Sequence, residues 1–263
     1  MSTILDNIIA DKIVEVNERK ALRSIKQLEQ TPGFERTCIS LRNNLLQSPT
    51  GIIAEFKRKS PSLGWIHEHA DVCNITSGYS HAGASGISIL TDLPYFGGTP
   101  TDLISARQGI SCAVLRKDFM IDEYQVFEAK AMGADVILLI AAALTVEQTR
   151  NLAQLAHSLG LETLLEIHNA DELVNINEHI DMVGVNNRNL KTFAQSIQTS
   201  FDLVDAIPND FVKVSESGLS QVETVAQLRK VGYKGFLMGE NFMNKQQPDV
   251  ALSAFIADLK ALS

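Results

Sequence analysis

The sequence predicts a (β/α)8 barrel, the TIM-barrel class, with an N-terminal helical extension. Three observations carry this. From residue 50 onward, short apolar runs recur at residues 52–56, 86–90, 112–115, 135–140, 162–165, 182–185, 212–214 and 235–238, giving eight candidate strands. Segments of helical periodicity separate them, and buried strands alternating with helices build a parallel sheet with right-handed crossovers. The third is an absence. An open doubly wound sheet usually carries a Gly-rich phosphate loop after its first strand, and this chain has neither G-x-G-x-x-G nor a Walker motif. Such barrels form single domains of roughly 250 residues. The 263 residues therefore read as one domain, with residues 1–48 the extension and 49–263 the barrel.

The elements follow in order. Ile4, Leu5, Ile8, Ile9, Ile13 and Val16 recur at helical spacing, so the first 30 residues read as helix until Thr31-Pro32-Gly33 breaks the pattern. A short helix is expected over residues 40–46, before Ser48-Pro49. Another begins near Asp122 and stops at Gly133. Thr145 is the expected N-cap of a helix reaching Leu159, with Glu147 in its first turn and Gly160 as its stop. Ser220 opens a helix reaching Lys230, ended by Gly232.

Composition narrows the function classes. Hydrophobic residues at 45% and charged residues at 21% are ordinary for a folded domain and exclude a disordered chain. The net charge of -8 argues against a nucleic-acid partner, although a local basic cluster still suits a small anion. Cys38, Cys73 and Cys112 are odd in number and far apart, which speaks for reduced thiols rather than disulfides or zinc. Asp6, Asp11, Lys12 and Glu15 stand where an export signal needs apolar residues, and the longest apolar run, 136–144, is about half a membrane span. The expectation is a cytoplasmic protein with no membrane partner.

Chemistry in such barrels sits at the C-terminal strand ends. The first strand ends Glu55-Phe56-Lys57, the third Arg116-Lys117-Asp118, the fifth in Glu166, the sixth Asn186-Asn187-Arg188 and the seventh Ser215-Glu216-Ser217-Gly218. Residues i and i+2 of a strand share a face, which pairs Glu55 with Lys57 and Asn186 with Arg188. Taken singly, each charge reads as a solvated strand cap. Converging lysines and carboxylates instead shift one another's pKa and make proton donors and acceptors. Ser217-Gly218, Gly239-Glu240-Asn241 and Lys59-Ser60 predict a phosphate site, since glycines let backbone N–H groups approach an anion. Glu240 is an odd neighbour for an anion, so its side chain is expected to point away.

Other signals are set aside. His67-Glu68-His69 lacks metal-site spacing and reads as a solvated loop. His168 reads as structural, and His81 and His157 as surface or packing residues. Arg58 is expected to face away from its flanking lysines and to pair with a helix carboxylate.

The segment Ile53-Ala54-Glu55-Phe56-Lys57-Arg58-Lys59-Ser60-Pro61-Ser62 resembles the first-strand signature of indole-3-glycerol phosphate synthases. Leu90-Thr91-Asp92, Tyr95-Phe96-Gly97-Gly98, Leu115-Arg116-Lys117-Asp118-Phe119, Glu166-Ile167-His168, Gly184-Val185-Asn186-Asn187-Arg188-Asn189-Leu190, Ser215-Glu216-Ser217-Gly218 and Leu237-Met238-Gly239 follow in the family's order. The matches span nearly the whole chain. The helical extension also resembles the family's, which packs over the barrel mouth.

The resemblance implies a ring closure in tryptophan biosynthesis. 1-(2-Carboxyphenylamino)-1-deoxyribulose 5-phosphate loses carbon dioxide and water to give indole-3-glycerol phosphate, without a cofactor or metal. It implies Lys117 as general acid at the carbonyl, with Lys57 and Glu55 orienting substrate and sharing later proton transfers. Glu166 becomes a carboxylate acting on the ring nitrogen or as acid/base partner, Glu216 a holder of its lysine and hydroxyl neighbours, and Asn186 and Arg188 residues that bind substrate and order the mouth. Lys59, Ser60, Ser217, Gly218, Gly239 and Glu240 map to the phosphate region. Phe96, Phe119 and Leu138 map around the anthranilate ring. A monomer is implied; docking to other pathway enzymes is left open. Two departures stand out: Leu63 where the family often has Lys, and Glu240 where a small polar residue is frequent. Gly64-Trp65 instead reads as bringing an apolar lid residue to the first loop.

Two rival readings share the fold. Phosphoribosylanthranilate isomerase would typically use a Cys/Asp pair, and no cysteine here ends a strand. A non-catalytic phospholigand-binding barrel would be marked by loss of a catalytic lysine, and both Lys57 and Lys117 are present.

Overall fold

The computed structural model describes residues 3–190 and 192–262. Strands β1 (Ile52–Phe56), β2 (Gly86–Leu90), β3 (Ala113–Lys117), β4 (Val136–Ile140), β5 (Glu162–Ile167), β6 (Met182–Asn186), β7 (Val212–Glu216) and β8 (Gly235–Met238) close into one parallel barrel. They pair in chain order, and β8 returns to β1 with Ile52 opposite Phe236. Closure leaves the barrel no free edge. β3 starts at Ala113 rather than Cys112 and runs through Lys117, so this lysine is the last strand residue rather than part of the loop.

Strand alternation sorts the core. Ile52, Ala54 and Phe56 face the surrounding helices, whereas Ile53, Leu115, Leu138, Leu164 and Leu237 fill the barrel interior. The extension divides between the two barrel ends. Its helices are α1 (Ile4–Leu22), α2 (Ile25–Glu29) and α3 (Leu41–Gln47). Leu41 and Leu45 of α3 are fully buried against the N-terminal ends of the strands, where Gly86 and Gly235 leave room for them. α1 lies at the opposite end, the mouth.

The first 30 residues are therefore not one helix. Ser24 and Gln27 form a capping box that stops α1 at Leu22 and starts α2 at Ile25. Other boundaries follow the sequence closely. Asp122 caps Glu123–Met132, which ends at Gly133 in the left-handed region, and Thr145 caps Val146–Ser158. The helix expected from Ser220 begins at Val222, with Gln221 as its cap.

α1 buries Ile8, Lys12 and Val16, one residue per turn on a single face. The middle residue is a lysine, 1% exposed, with Nζ 2.9 Å from both Asp92 Oδ2 and Asp118 Oδ1 and 2.7 Å from Glu15 Oε2. Asp118 also takes Arg116 at 3.0 Å. A buried charge requires such partners, and here they fasten α1 to the segments that leave β2 and β3.

Candidate active site

The strand ends and α1 enclose a cavity of about 350 Å³. Every site residue expected from the sequence lines it except Lys59. The Lys59 ammonium instead donates to the Pro94 carbonyl at 2.8 Å and lies 5.5 Å from the centroid of the Trp65 ring. Trp65 is half exposed and lies outside the cavity wall.

Alternation along β1 places the first pair. Glu55 points inward and its Oε1 meets Lys57 Nζ at 2.8 Å. Phe56, between them, points out to the helices. Arg58 follows it outward, over the Phe56 ring and onto Asp102 of the helix Pro100–Arg107 at 2.8 Å. The expected separation of Arg58 from its neighbouring lysines is therefore present.

Lys117 stands at the centre of the site. Its Nζ is 2.9 Å from Glu166 Oε2 and 2.6 Å from Glu216 Oε2. Asn186 Nδ2 donates to Glu166 Oε1 at 3.1 Å. Burial alone would lower the Lys117 ammonium, but Glu166, Glu216 and Glu55 outweigh it and hold it well above its ordinary value. Burial likewise raises Glu55 and Glu166. For Glu55 the lysines prevail, and for Glu166 Lys117 and His168 prevail, so both carboxyls are held low. Glu216 differs. Burial pushes it up to about 7, because Lys117 is its one close cation and Glu166 and Glu55 repel its charge.

One side of the cavity is apolar. The Phe96 and Phe119 ring centroids lie 6.2 Å apart, and Leu138, Ile4, Leu5 and Ile8 continue the wall. Glycine-bearing loops after β7 and β8 form another part. Ser217 (φ 66°) and Gly218 (φ 71°) are both left-handed, which turns the chain sharply at the strand end. For Ser217 this conformation is strained. A Cβ at Gly239 would meet Glu55 Oε1 at 2.5 Å, so only glycine fits beside that carboxylate. Glu240 opens a short helix, and its Oε2 is 3.1 Å from Arg188 Nη2. Arg188 Nη1 donates to Ser62 Oγ at 2.6 Å, linking the loops after β1, β6 and β8.

Sequence reasoning missed two side chains. His168 lies against Glu166, with Nε2 3.4 Å from Oε1. The i, i+2 spacing on one strand end was the available signal. Lys12 was counted only among charges that oppose an export signal, yet it anchors the α1 wall. The described residues contain no cluster of metal-ligating side chains at His67-Glu68-His69 or elsewhere.

Fold and site define a class, a (β/α)8-barrel enzyme that moves protons on a small molecule held at the strand ends. A family model described as "Indole-3-glycerol phosphate synthase" matches residues 5–255. A Bacteroides thetaiotaomicron protein of that name is 50% identical over 256 residues, covering 97% of this chain and 98% of the relative. A Bordetella pertussis protein of the same name is 39% identical, covering 98% of this chain and all of the relative, with an alignment of 265 residues and 100% coverage. The chain belongs to the indole-3-glycerol phosphate synthase family. Among solved structures, one titled "Native KDPGal structure" superposes with a TM-score of 0.57 at 15% identity, covering 82% of this chain and 98% of the other, a likeness of fold.

Proposed function

We propose that this chain closes the indole ring, converting 1-(2-carboxyphenylamino)-1-deoxyribulose 5-phosphate into indole-3-glycerol phosphate, carbon dioxide and water. The observation that carries the reading is the partly buried Lys117 ammonium at the mouth, held between Glu166 at 2.9 Å and Glu216 at 2.6 Å. The ring carbon bearing the carboxylate attacks the ribulose carbonyl. The carbonyl oxygen gains negative charge, which a preorganised ammonium stabilises and then protonates. Glu216, poised near neutrality, returns a proton to the lysine. Loss of carbon dioxide leaves its electron pair to restore the aromatic ring. The new hydroxyl then leaves as water with a proton from Lys57, whose partner is Glu55, and a ring proton departs to a carboxylate, Glu166 in this reading.

Binding follows the cavity's division. Phe96, Phe119 and Leu138 take the anthranilate ring. Backbone N–H groups at Ser217, Gly218, Gly239 and Glu240, with Ser60, take the phosphate, and Lys59 swings in from Pro94. Asn186 and Arg188 hold the remaining polar groups. No cofactor enters this scheme.

We also read residues 1–48 and 49–263 as extension and barrel of a single domain, acting as a cytoplasmic monomer. The packing of α1 and α3 on the two barrel ends supports the first part, and three free cysteines support the compartment. Among the described residues, no helix is long and apolar enough to cross a membrane.

A fluorescence assay with the carboxyphenylamino substrate, without added metal or cofactor, tests the function. Indole-type emission is expected from the wild type and is abolished or greatly slowed in Lys117→Ala. A folded wild type that binds this substrate and yields no indole product overturns the reading.

A further inference from the structure

The imidazole of His168 stands between two carboxylates. Its Nδ1 is 3.3 Å from Glu172 Oε2 and its Nε2 3.4 Å from Glu166 Oε1, with the side chain 11% exposed. Glu172 also accepts the His168 backbone N–H at 2.7 Å and the Asn169 side-chain amide at 2.9 Å. The turn after β5 therefore grips the ring by its δ edge and aims its ε edge at Glu166.

A neutral imidazole has one N–H and one lone pair. With an acceptor at each edge, the neutral ring would set its lone pair against a carboxylate. The doubly protonated ring turns an N–H toward each carboxylate, hydrogen-bonding Glu172 through Nδ1 and meeting Glu166 as an ion pair through Nε2. Charged groups face it from two places, Glu166 on its own strand and Glu172 on the turn. Lys117, from β3, faces it across Glu166, and the uncharged Asn186 amide completes that side from β6.

Glu166 thus meets two cations and an amide, whereas Glu216 meets Lys117. We propose that His168 is a positioning residue, an imidazolium clamped between Glu166 and Glu172 that keeps Glu166 ionised beside Lys117 and leaves the exchangeable proton to Glu216. This rests on the catalytic reading of Glu166 and Lys117 given above. The electrostatics agree: burial lowers His168, but Glu166 and Glu172 outweigh it and raise it to about 10.

The first test reads no turnover. In wild-type protein labelled with 15N-histidine, the His168 nitrogens are expected to keep imidazolium chemical shifts from pH 5.5 to 8. A ring that titrates near its ordinary value, about 6.5, overturns the proposal. The second test is the pH–rate profile of His168→Gln, which keeps a polar side chain beside Glu166 but removes the charge. In the wild type a kcat inflection near neutrality is expected from the proton shared by Glu166, Lys117 and Glu216. Removing a cation moves it up by about one pH unit, with KM little changed. A uniform fall in kcat with the inflection unmoved marks a packing role and overturns the proposal. If the wild type makes no indole product, the functional reading fails while the nitrogen shifts still decide the charge of His168.

Discussion

The carboxylate of Glu216 occupies the space that a side chain at Gly184 would fill. A Cβ built at Gly184 falls well inside contact distance of Glu216 Oε1, with Leu164 Cδ1 behind at 3.3 Å. These residues sit on neighbouring strands, β6 and β7, and Gly184 is paired with Val214. The glycine lets Glu216 lean back and reach Lys117.

Gly184→Ala is therefore expected to displace the Glu216 carboxyl while the barrel strands keep their pairing. Misplacement by about 1 Å costs roughly 10²-fold in rate, so kcat is expected to fall by about that factor with KM near its wild-type value. Steady-state kinetics beside a thermal melt check this. Unchanged kcat shows that Glu216 has slack the packing does not suggest.

Lys57 and Lys117 are expected to fail at different steps. Under single-turnover conditions, Lys117→Ala stops before the new carbon–carbon bond and slows product formation by about 10²–10⁴-fold. Lys57→Ala forms that bond and accumulates a species that has not lost water. Rapid quench and mass spectrometry distinguish the two. The same intermediate in both variants removes the division of labour.

Glu216 makes activity and stability pull apart. Its folded value, about 7, lies above the ordinary 4.5. Its contribution to stability is therefore fully present below pH 4.5 and is lost as the pH rises through 7. Glu216→Gln, which mimics the neutral acid, is expected to exceed wild-type stability at pH 8 by on the order of 1 to 3 kcal/mol. The gap shrinks toward pH 5, and the variant turns over slowly at both. Urea unfolding at the two pH values measures this; a gap that widens on acidification refutes it.

Lys12→Met takes the paired cation from buried Asp92 and leaves buried Asp118 with Arg116 alone. Breaking a buried ion pair by removing one partner costs about 3–5 kcal/mol, which a melt would show. KM rises as well, because Ile4, Leu5 and Ile8 leave the cavity wall with α1. Burial pushes the Asp118 carboxyl up, but Arg116 and Lys12 hold it well below the ordinary 3.8. Its contribution is complete above pH 3.8 and is lost as the pH falls toward the depressed folded value. An unaltered melt and KM would show that α1 is held by its apolar face alone.

Much of this was legible in the chain itself, for reasons of period. Eight apolar runs specify strands, and the inward alternation of Glu55, Lys57 and Lys117 follows from a two-residue repeat. What escaped depends on contacts between distant segments. Lys12 looks like any exposed helix charge until Asp92 and Asp118 are placed under it. His168 sits at the right spacing from Glu166, but its partner Glu172 comes from the turn that follows. The break at Ser24 was readable from its Ser-x-x-Gln spacing, which an apolar count passes over. Lys59 lies in the expected loop, and only the structure locates its ammonium on Pro94.

The Lys12 anchor also bears on how the molecule is made. A ribosome delivers α1 before the barrel strands, with Glu15 of the same helix beside the Lys12 charge and both aspartates still to come. Burying that charge anywhere is unfavourable. Its counter-charges, Asp92 and Asp118, emerge only with the segments that follow β2 and β3. The helix must wait, and the mouth of the barrel is capped only after those strands have left the exit tunnel.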